Sequence, residues 1–389
     1  MFGRAVLAVV ILASLGLPLR AEDRPPLKIG WLMSYTGPGA AAGVVTDAAI
    51  EVFLKKYGTT VAGRKIEIIR RDTTGPAPDV ARRLAQELIV GGKVDFLAGM
   101  DYTPNTMAVA PLSTQAKVPL LIVNSATSGI LAKHPYAVRF GFTTTSMAQQ
   151  LAVYASTNNI KSVYTFVHEY EPGLDAEAMF IREFKAAGGA IAGSVRVPLK
   201  ATDFSAYIQR IKDAKPDAVF AFMAAGELPP IFLRQFKEAG LDATTKIIGI
   251  GDLTDEASLP AAGDAALGVV TAFHYTPTHD SQVNKEFAAT YRAVAPNRPL
   301  NFMAVVAYDT LRAIYQAVDA QKGDLNLDKT MELLKQTKFE SPRGPVEIDP
   351  ATRDIVQTIY FRKVEKRGDQ LVNVEFASTP KVKDPGSAR

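Results

Sequence analysis

From Leu27 onward the chain alternates short apolar runs with segments whose apolar residues recur at helical spacing, and this alternation restricts the fold more than any other feature. The runs at 28–33, 94–98, 119–123, 163–167, 218–223 and 246–250 are several times apolar almost throughout, as strands covered on both faces require. Between them Val80, Leu84 and Leu88 stand four apart. Phe204, Tyr207, Ile208 and Ile211 repeat at i, i+3, i+4 and i+7, behind Asp203 as a candidate N-cap. Such alternation predicts an α/β fold of doubly wound parallel sheets. It occurs in two series, about 27–124 and 160–251, separated by a stretch that begins at Tyr136. One sheet of so many strands would be unusually large, so two lobes are predicted. After Gly268 the order changes: helical patterns near 282–294, 303–320 and 331–336 precede Ser341-Pro342-Arg343-Gly344-Pro345 and strand-like runs at 354–364 and 370–376.

Open parallel sheets bind ligands beyond the carboxyl ends of their strands, where the strand order reverses. The loops that end the runs are 34–43, 99–106, 124–129, 168–173, 224–227 and 251–256, and two facing lobes let all six line one cleft. They are rich in hydroxyls and tyrosines and poor in catalytic groups, which points to binding rather than turnover.

Composition narrows the chemistry further. No cysteine is present among the 389 residues, which excludes disulfides, zinc–thiolate sites, iron–sulfur clusters and thiol nucleophiles. With 44 Lys+Arg against 40 Asp+Glu the net charge is +4, far from the basic excess of a nucleic-acid binder. At the N-terminus Arg4 precedes an apolar run at 5–17 and Pro18-Leu19-Arg20-Ala21, the pattern of a secretory signal peptide over residues 1–21. The run is shorter than the roughly 18 apolar residues that a membrane-spanning helix needs. The expected compartment is therefore extracytoplasmic, and in a bacterium the periplasm.

Several loop residues suit a small polar ligand. Asn124-Ser125-Ala126-Thr127-Ser128-Gly129 follows a strand, and hydroxyls with free backbone N–H groups at such a junction suit a carboxylate, although helix capping would use the same residues. Thr103, Pro104 and Asn105 repeat the arrangement one unit earlier. Asp252 ends an apolar strand of the second series and suits a ligand ammonium, or equally a helix cap. Tyr35, Tyr102, Tyr170 and Tyr275 fall at or near the cleft loops and suit the wall of an apolar pocket, whereas Trp31 reads as core.

Enzyme signatures are weak. Gly37-Pro38-Gly39-Ala40-Ala41-Ala42 has the form of a dinucleotide-binding loop, but Pro38 removes one N–H and no acidic residue ends a second strand about 20 residues on. No G-x-S-x-G, G-x-x-x-x-G-K-[ST] or H-E-x-x-H occurs. His274 and His279 are five apart, a poor spacing for one metal site, and His168-Glu169 has no nucleophile beside it. Neither cofactor nor metal is expected.

Along the chain stand, in order, Lys28-Ile29-Gly30 through Thr36-Gly37-Pro38, Gly63-Arg64-Lys65-Ile66-Glu67 with Arg71-Asp72, and Val118-Pro119 through Ser125-Ala126-Thr127. Ala201-Thr202-Asp203-Phe204-Ser205, Lys215-Pro216-Asp217-Ala218-Val219, Gly263-Asp264-Ala265-Ala266-Leu267-Gly268 and Ala307-Tyr308-Asp309 follow. This ordered set resembles the type I periplasmic solute-binding proteins of the branched-chain amino acid (Leu/Ile/Val) class, receptors for ABC importers.

The resemblance implies two lobes joined by a three-crossover hinge near 145, 275 and 342: residues 27–145 plus 276–341, and 146–275 plus 342–389. It makes the 36–39 segment a cleft loop rather than a cofactor cradle. It also implies carboxylate binding by Ser125 and Thr127, with the other carboxylate-binding position on Thr103 or Pro104, an ammonium contact at Asp252, where the class more often has Glu, and an aromatic wall including Tyr170. The 168–173, 251–254 and 341–345 segments look like a proteobacterial branch whose ligands need not be amino acids. The expected function is thus a monomeric, non-catalytic receptor that binds an amino acid or related small carboxylate and docks on the membrane subunits of an ABC permease. An aromatic-carboxylate or amide receptor, a sensory receptor of the same fold and an NADP-dependent enzyme are the alternatives.

Overall fold

In a computed structural model, residues 24–37, 39–386 and 389 are described, so the leader at 1–21 lies outside the described residues. The first series forms β1 (Leu27–Met33), α1 (Ala40–Tyr57), β2 (Thr60–Val61), β3 (Arg64–Asp72), α2 (Pro78–Val90), β4 (Phe96–Gly99), α3 (Thr103–Ala116), β5 (Leu120–Ile122) and β6 (Ala137–Arg139). Its six strands run in the order β2-β3-β1-β4-β5-β6, parallel except for the short β2. Six of the seven residues of β1 are buried, as its unbroken apolar run requires for a strand covered on both faces.

The second series forms α4 (Thr144–Thr157), β7 (Ser162–His168), α5 (Glu171–Ala186), β8 (Ala190–Val197), α6 (Ser205–Ala214), β9 (Ala218–Phe222), α7 (Leu228–Glu238), β10 (Lys246–Ile250), α8 (Leu259–Ala262) and β11 (Val270–Phe273). Phe204, Ile208 and Ile211 are buried on the inner side of α6. Phe204 itself occupies the cap position, while Asp203 accepts from the Ser205 N–H (2.9 Å).

The chain then returns through α9 (Gln282–Val294), α10 (Phe302–Asp319) and α11 (Leu327–Lys335), with α9 and α10 packing on α1. It ends in β12 (Lys338–Ser341), β13 (Gly344–Ile348), β14 (Ile355–Arg367) and β15 (Gln370–Val382). The second sheet is ordered β12-β13-β14-β11-β10-β9-β7-β8, with β15 paired to β14. Its β7–β11 part is parallel, as expected, but β12 to β15 join it antiparallel.

The three crossovers meet at one buried side chain. Arg343, in the turn between β12 and β13, pairs with Asp309 of α10 (2.9 Å) while both side chains are wholly excluded from solvent. Its guanidinium also donates to the carbonyls of Phe140 (2.7 Å) and Gly141 (3.5 Å) in the first crossover and to Gln357 of β14 (2.7 Å), and it lies 3.3 Å from His274 in the second. Ser341 adds a bond to Asp309 (2.8 Å). The β12–β13 hairpin thus pairs its backbone into the second sheet while Ser341 and Arg343 bond Asp309 of the helix that covers the first. Phe142, Phe273 and Phe302, one from each crossing segment or from α10, make edge contacts around the same point (4.7–6.1 Å between centroids).

Removing one member of a buried, hydrogen-bonded charge pair leaves the other uncompensated, which costs about 3–5 kcal/mol, whereas an apolar replacement of both is often neutral. Arg343→Ala should therefore lower the unfolding free energy by about that amount, and Arg343→Met with Asp309→Leu should regain most of it. Urea denaturation of the three chains measures this; a loss under about 1 kcal/mol in the single variant contradicts the assignment.

Candidate functional site

A cavity of about 470 Å³ lies between the strand ends of the two sheets, and every one of the six predicted cleft loops contributes to it. In the first sheet the strand order turns back between β1 and β4, and there Gly37, Gly39, Asp101 and Tyr102 line the cavity. In the second it turns back between β7 and β9, where Tyr170 and Ala224–Glu227 do so. Asn124 follows β5, and Asp252 and Asp255 follow β10. Both switch points of strand order therefore open into one space.

Of the residues singled out from sequence, Tyr102, Tyr170 and Asp252 line the cavity and Tyr35, Thr103, Ser125 and Thr127 do not. Ser125 takes a left-handed backbone (φ 43°), and its hydroxyl is engaged within its own lobe by Thr106 (2.6 Å) and the Met100 carbonyl (3.0 Å). The Tyr35 hydroxyl donates to Asp47 (3.0 Å). Thr103 and Thr127 are buried with unpaired hydroxyls. Tyr275 is wholly buried and bonds Asn284 (2.9 Å), a core role.

Asp101 lines the cavity from within a predicted loop without having been singled out, Asn124 does so from the head of the 124–129 loop, and Asn301 and Met303 do so from outside the predicted loops. Asp101 accepts from the Ser34 N–H (3.1 Å) with one oxygen, and its other oxygen is buried without a partner. Asn124 donates its amide to the Asp101 carbonyl (2.9 Å), leaving its own oxygen unpaired. Asn301 caps α10 through the Met303 N–H (3.1 Å) and reaches across the cleft to Asp255 (2.9 Å).

The wall contributed by the first lobe also carries a helix end. α1 begins at Ala40 behind Gly39 with no side-chain cap and no acidic residue in its first turn, and Gly39 to Ala42 face the cavity. A Cβ on Gly39 would stand 3.0 Å from the Tyr102 hydroxyl, so that phenol lies beside the positive end of the helix.

Burial sets the charge state of the site. The Asp252 carboxyl is pushed up to about 7 by burial, which its own and the Ala225 backbone N–H groups and Arg362 only partly offset. Burial likewise raises Asp101 to about 6 against the Ser34 contact. Burial, then the neighbouring Glu256, raises Asp255 as well. Burial raises the phenols of Tyr102 and Tyr170, which stay protonated donors. His168 is lowered to about 4 by burial; neutral, it accepts the Ala224 N–H (3.1 Å) and so positions a cavity loop rather than exchanging protons.

Behind the acidic turn lies Arg362, fully buried, which donates to the Gly251 carbonyl (3.2 Å), to Thr271 (3.2 Å) and to Glu256 (3.4 Å). Asn373 of β15 holds the Thr254 carbonyl and Glu256 at 2.8 Å each. His274 and His279 serve apart, the first beside Arg343 and the second on Glu375 (2.9 Å).

The comparisons with known proteins settle the family. Residues 26–369 match the periplasmic binding protein family model. The chain belongs to that family. It is 38% identical over 383 residues to the Leu/Ile/Val-binding protein homolog 6 of Brucella melitensis, covering 98% of each chain. A solute binding protein of an ABC transporter from Rhodopseudomonas palustris BisB5, solved in complex with 3,4-dihydroxybenzoic acid, is 47% identical with a TM-score of 0.89, over 93% of this chain and 99% of that one. A second R. palustris solute binding protein, in complex with 4-hydroxybenzoate, is 38% identical with a TM-score of 0.90 over the same shares. The protein is therefore an extracytoplasmic solute-binding receptor of an ABC transporter, working with permease components, and not an enzyme.

The raised carboxyl of Asp252 has a thermodynamic consequence. Folded, it holds its proton up to about pH 7, while the unfolded chain releases it near 3.8. Folding takes up a proton in that window, so stability falls as pH rises through it. Asp252→Asn should make the fall of ligand-free stability between pH 4 and 7 shallower, Asp101 and Asp255 keeping their own share of it, and stabilise the protein at pH 8 by about 4 kcal/mol. Thermal unfolding across that range checks it; an unchanged slope contradicts it.

Proposed function

We propose that the receptor takes an aromatic carboxylate, of the hydroxybenzoate kind, between its lobes. The observation that carries this reading is the make-up of the cavity wall: Tyr102 and Tyr170 stand on it, from opposite lobes, while the hydroxyls expected to grip an amino acid's carboxylate lie off it, Ser125 already satisfied by Thr106 and Met100. A benzene ring between two phenols buries apolar area with favourable ring geometry. Its carboxylate is suited by the positive end of the α1 dipole with the Tyr102 hydroxyl beside it, the Ala40, Ala42 and Gly43 N–H groups being held already by backbone carbonyls. The hydroxybenzoate complexes of relatives 38–47% identical support the same class. An amino-acid ligand, with its ammonium on Asp252, is the competing reading and has the name of the Brucella relative behind it.

In this reading the lobes, 27–145 plus 276–341 and 146–275 plus 342–389, turn about the crossovers, with the β12–β13 hairpin shared between them. The ligand closes them by hinge motion, and the closed form docks on the permease. The protein works as a monomer in the periplasm after removal of residues 1–21 and binds no nucleic acid.

A micromolar affinity corresponds to about −8 kcal/mol, and saturation at 100 times Kd adds about 2.7 kcal/mol to stability. Thermal unfolding should therefore shift upward by several degrees with 4-hydroxybenzoate and not with leucine, isoleucine or valine. Tyr170→Ala should weaken 4-hydroxybenzoate at least tenfold. A shift with the branched-chain amino acids alone overturns the aromatic reading.

A further inference from the structure

Beyond β15 the chain comes back to the crossing a fourth time. The Asp384 carboxylate, two residues past the end of the strand, accepts from the hydroxyls of Thr145 (2.7 Å) and Thr143 (3.1 Å), which stand where the first crossover enters α4. It also lies 2.8 Å from the hydroxyl of Ser128, in the loop that follows β5 of the first sheet. Thr145 is wholly buried, and Thr143 and Ser128 are nearly so. Ser128 and Thr145 stand 2.6 Å apart, so one of their two protons lies between them while the other, with that of Thr143, goes to Asp384. Without this carboxylate two buried hydroxyl protons lose their acceptor. The segment is tied down on either side as well, by Lys383 on Asp349 (2.8 Å) and by the Gly386 N–H on Asp384 itself (3.2 Å).

Ser128 is where the lobes meet. Its N–H is held by Asp175 of α5 (3.2 Å) and its hydroxyl by Asp384, so two groups of the second lobe grip one residue of the first. Both grips adjoin the ligand cavity. Asn124, four residues before Ser128, lines it, and so does Tyr170, which precedes the first turn of α5. In the same arrangement the lobes touch across the cleft through Asn301 and Asp255.

We infer that residues 383–386 form a clasp, in which Asp384 holds the lobes in the closed arrangement and so sets ligand affinity without touching the ligand. Turning the lobes about the crossovers carries Ser128 with the first sheet and Asp384 with the second, so opening has to stretch or break the bond between them. Hydrogen bonds from hydroxyls to a carboxylate are stronger than neutral ones, which makes this a firm tie for a single side chain. Asp384 is a positioning residue: the apparent Kd is the intrinsic one divided by the closed fraction, so the clasp acts on every ligand alike. The inference rests on the hinge closure proposed above and not on the identity of the solute.

The absence of cysteine makes the test direct. Exposed positions on the two lobes, Val44→Cys on α1 and Glu238→Cys at the end of α7, can carry spin labels, and pulsed electron-spin distances then read the open–closed balance of the ligand-free chain. In this labelled background Asp384→Ala should lower the population at the short interlobe distance by about tenfold, and Kd should rise by the same factor. Ser128→Ala leaves Asp384 both threonine donors and so removes the interlobe bond alone; it should act in the same direction, and the double variant should go no further than Asp384→Ala. Lys383→Ala, which cuts only the outer pair with Asp349, should leave the distances unchanged. The Kd is titrated with 4-hydroxybenzoate and with leucine. Distance distributions equal to wild type in both Asp384→Ala and Ser128→Ala overturn the clasp, and so does a Kd that rises while the distances stay put. A wild-type distance that does not shorten with a bound ligand overturns hinge closure itself.

Discussion

One buried guanidinium holds the architecture together. Arg343 sits where the chain passes between the lobes, and its partners come from all three passages and from α10. A charge so deeply placed is tolerable only when each of its donors is met and an opposite charge is beside it. That condition forces Asp309, Phe140 and Gln357 to one point and so fixes the separation of the crossovers. With chain cross-links impossible for want of cysteine, this polar knot, the phenylalanines around it and the buried Arg139–Asp354 pair hold the crossing together.

A second buried guanidinium does comparable work at the site. Arg362 and Asn373, both from the terminal strands, grip the turn after β10 from behind and present Asp252 and Asp255 to the cavity. Arg362 nonetheless spends its donors on the Gly251 and Tyr275 carbonyls, Thr271 and Glu256. Its field therefore only moderates the effect of burial on Asp252. The result is a cleft of protonatable acids and phenols, rich in hydrogen-bonding capacity and low in fixed charge.

Much of this was legible in the sequence, for reasons that can be named. The unbroken apolar runs mark doubly covered strands, and β10 falls on 246–250 as read. Because ligands gather at strand ends, the six loops could be listed before any coordinate and all six reach the cavity. What escaped depends on backbone detail and long-range meeting. The φ of 43° at Ser125 turns its hydroxyl into the lobe, and nothing in Asn124-Ser125-Ala126 announces that. Asn301 lies about fifty residues beyond the last loop of the series, yet α10 carries it back to Asp255. Asp101 stands inside a predicted loop, but its importance lies in an oxygen left bare, which only packing reveals. That the β12–β13 hairpin pairs into the second sheet and still bonds Asp309 of α10 has no signature in local pattern, which shows only a crossing near 342.

The central claim is that the ligand is an aromatic acid held between the tyrosines of opposite lobes. A crystal structure of the protein grown with 4-hydroxybenzoate tests it most directly. The account predicts the ring between Tyr102 and Tyr170 with its carboxylate at the first turn of α1. A ring held outside the cleft, or a carboxylate seated on Ser125 and Thr127 with α1 untouched, would contradict it.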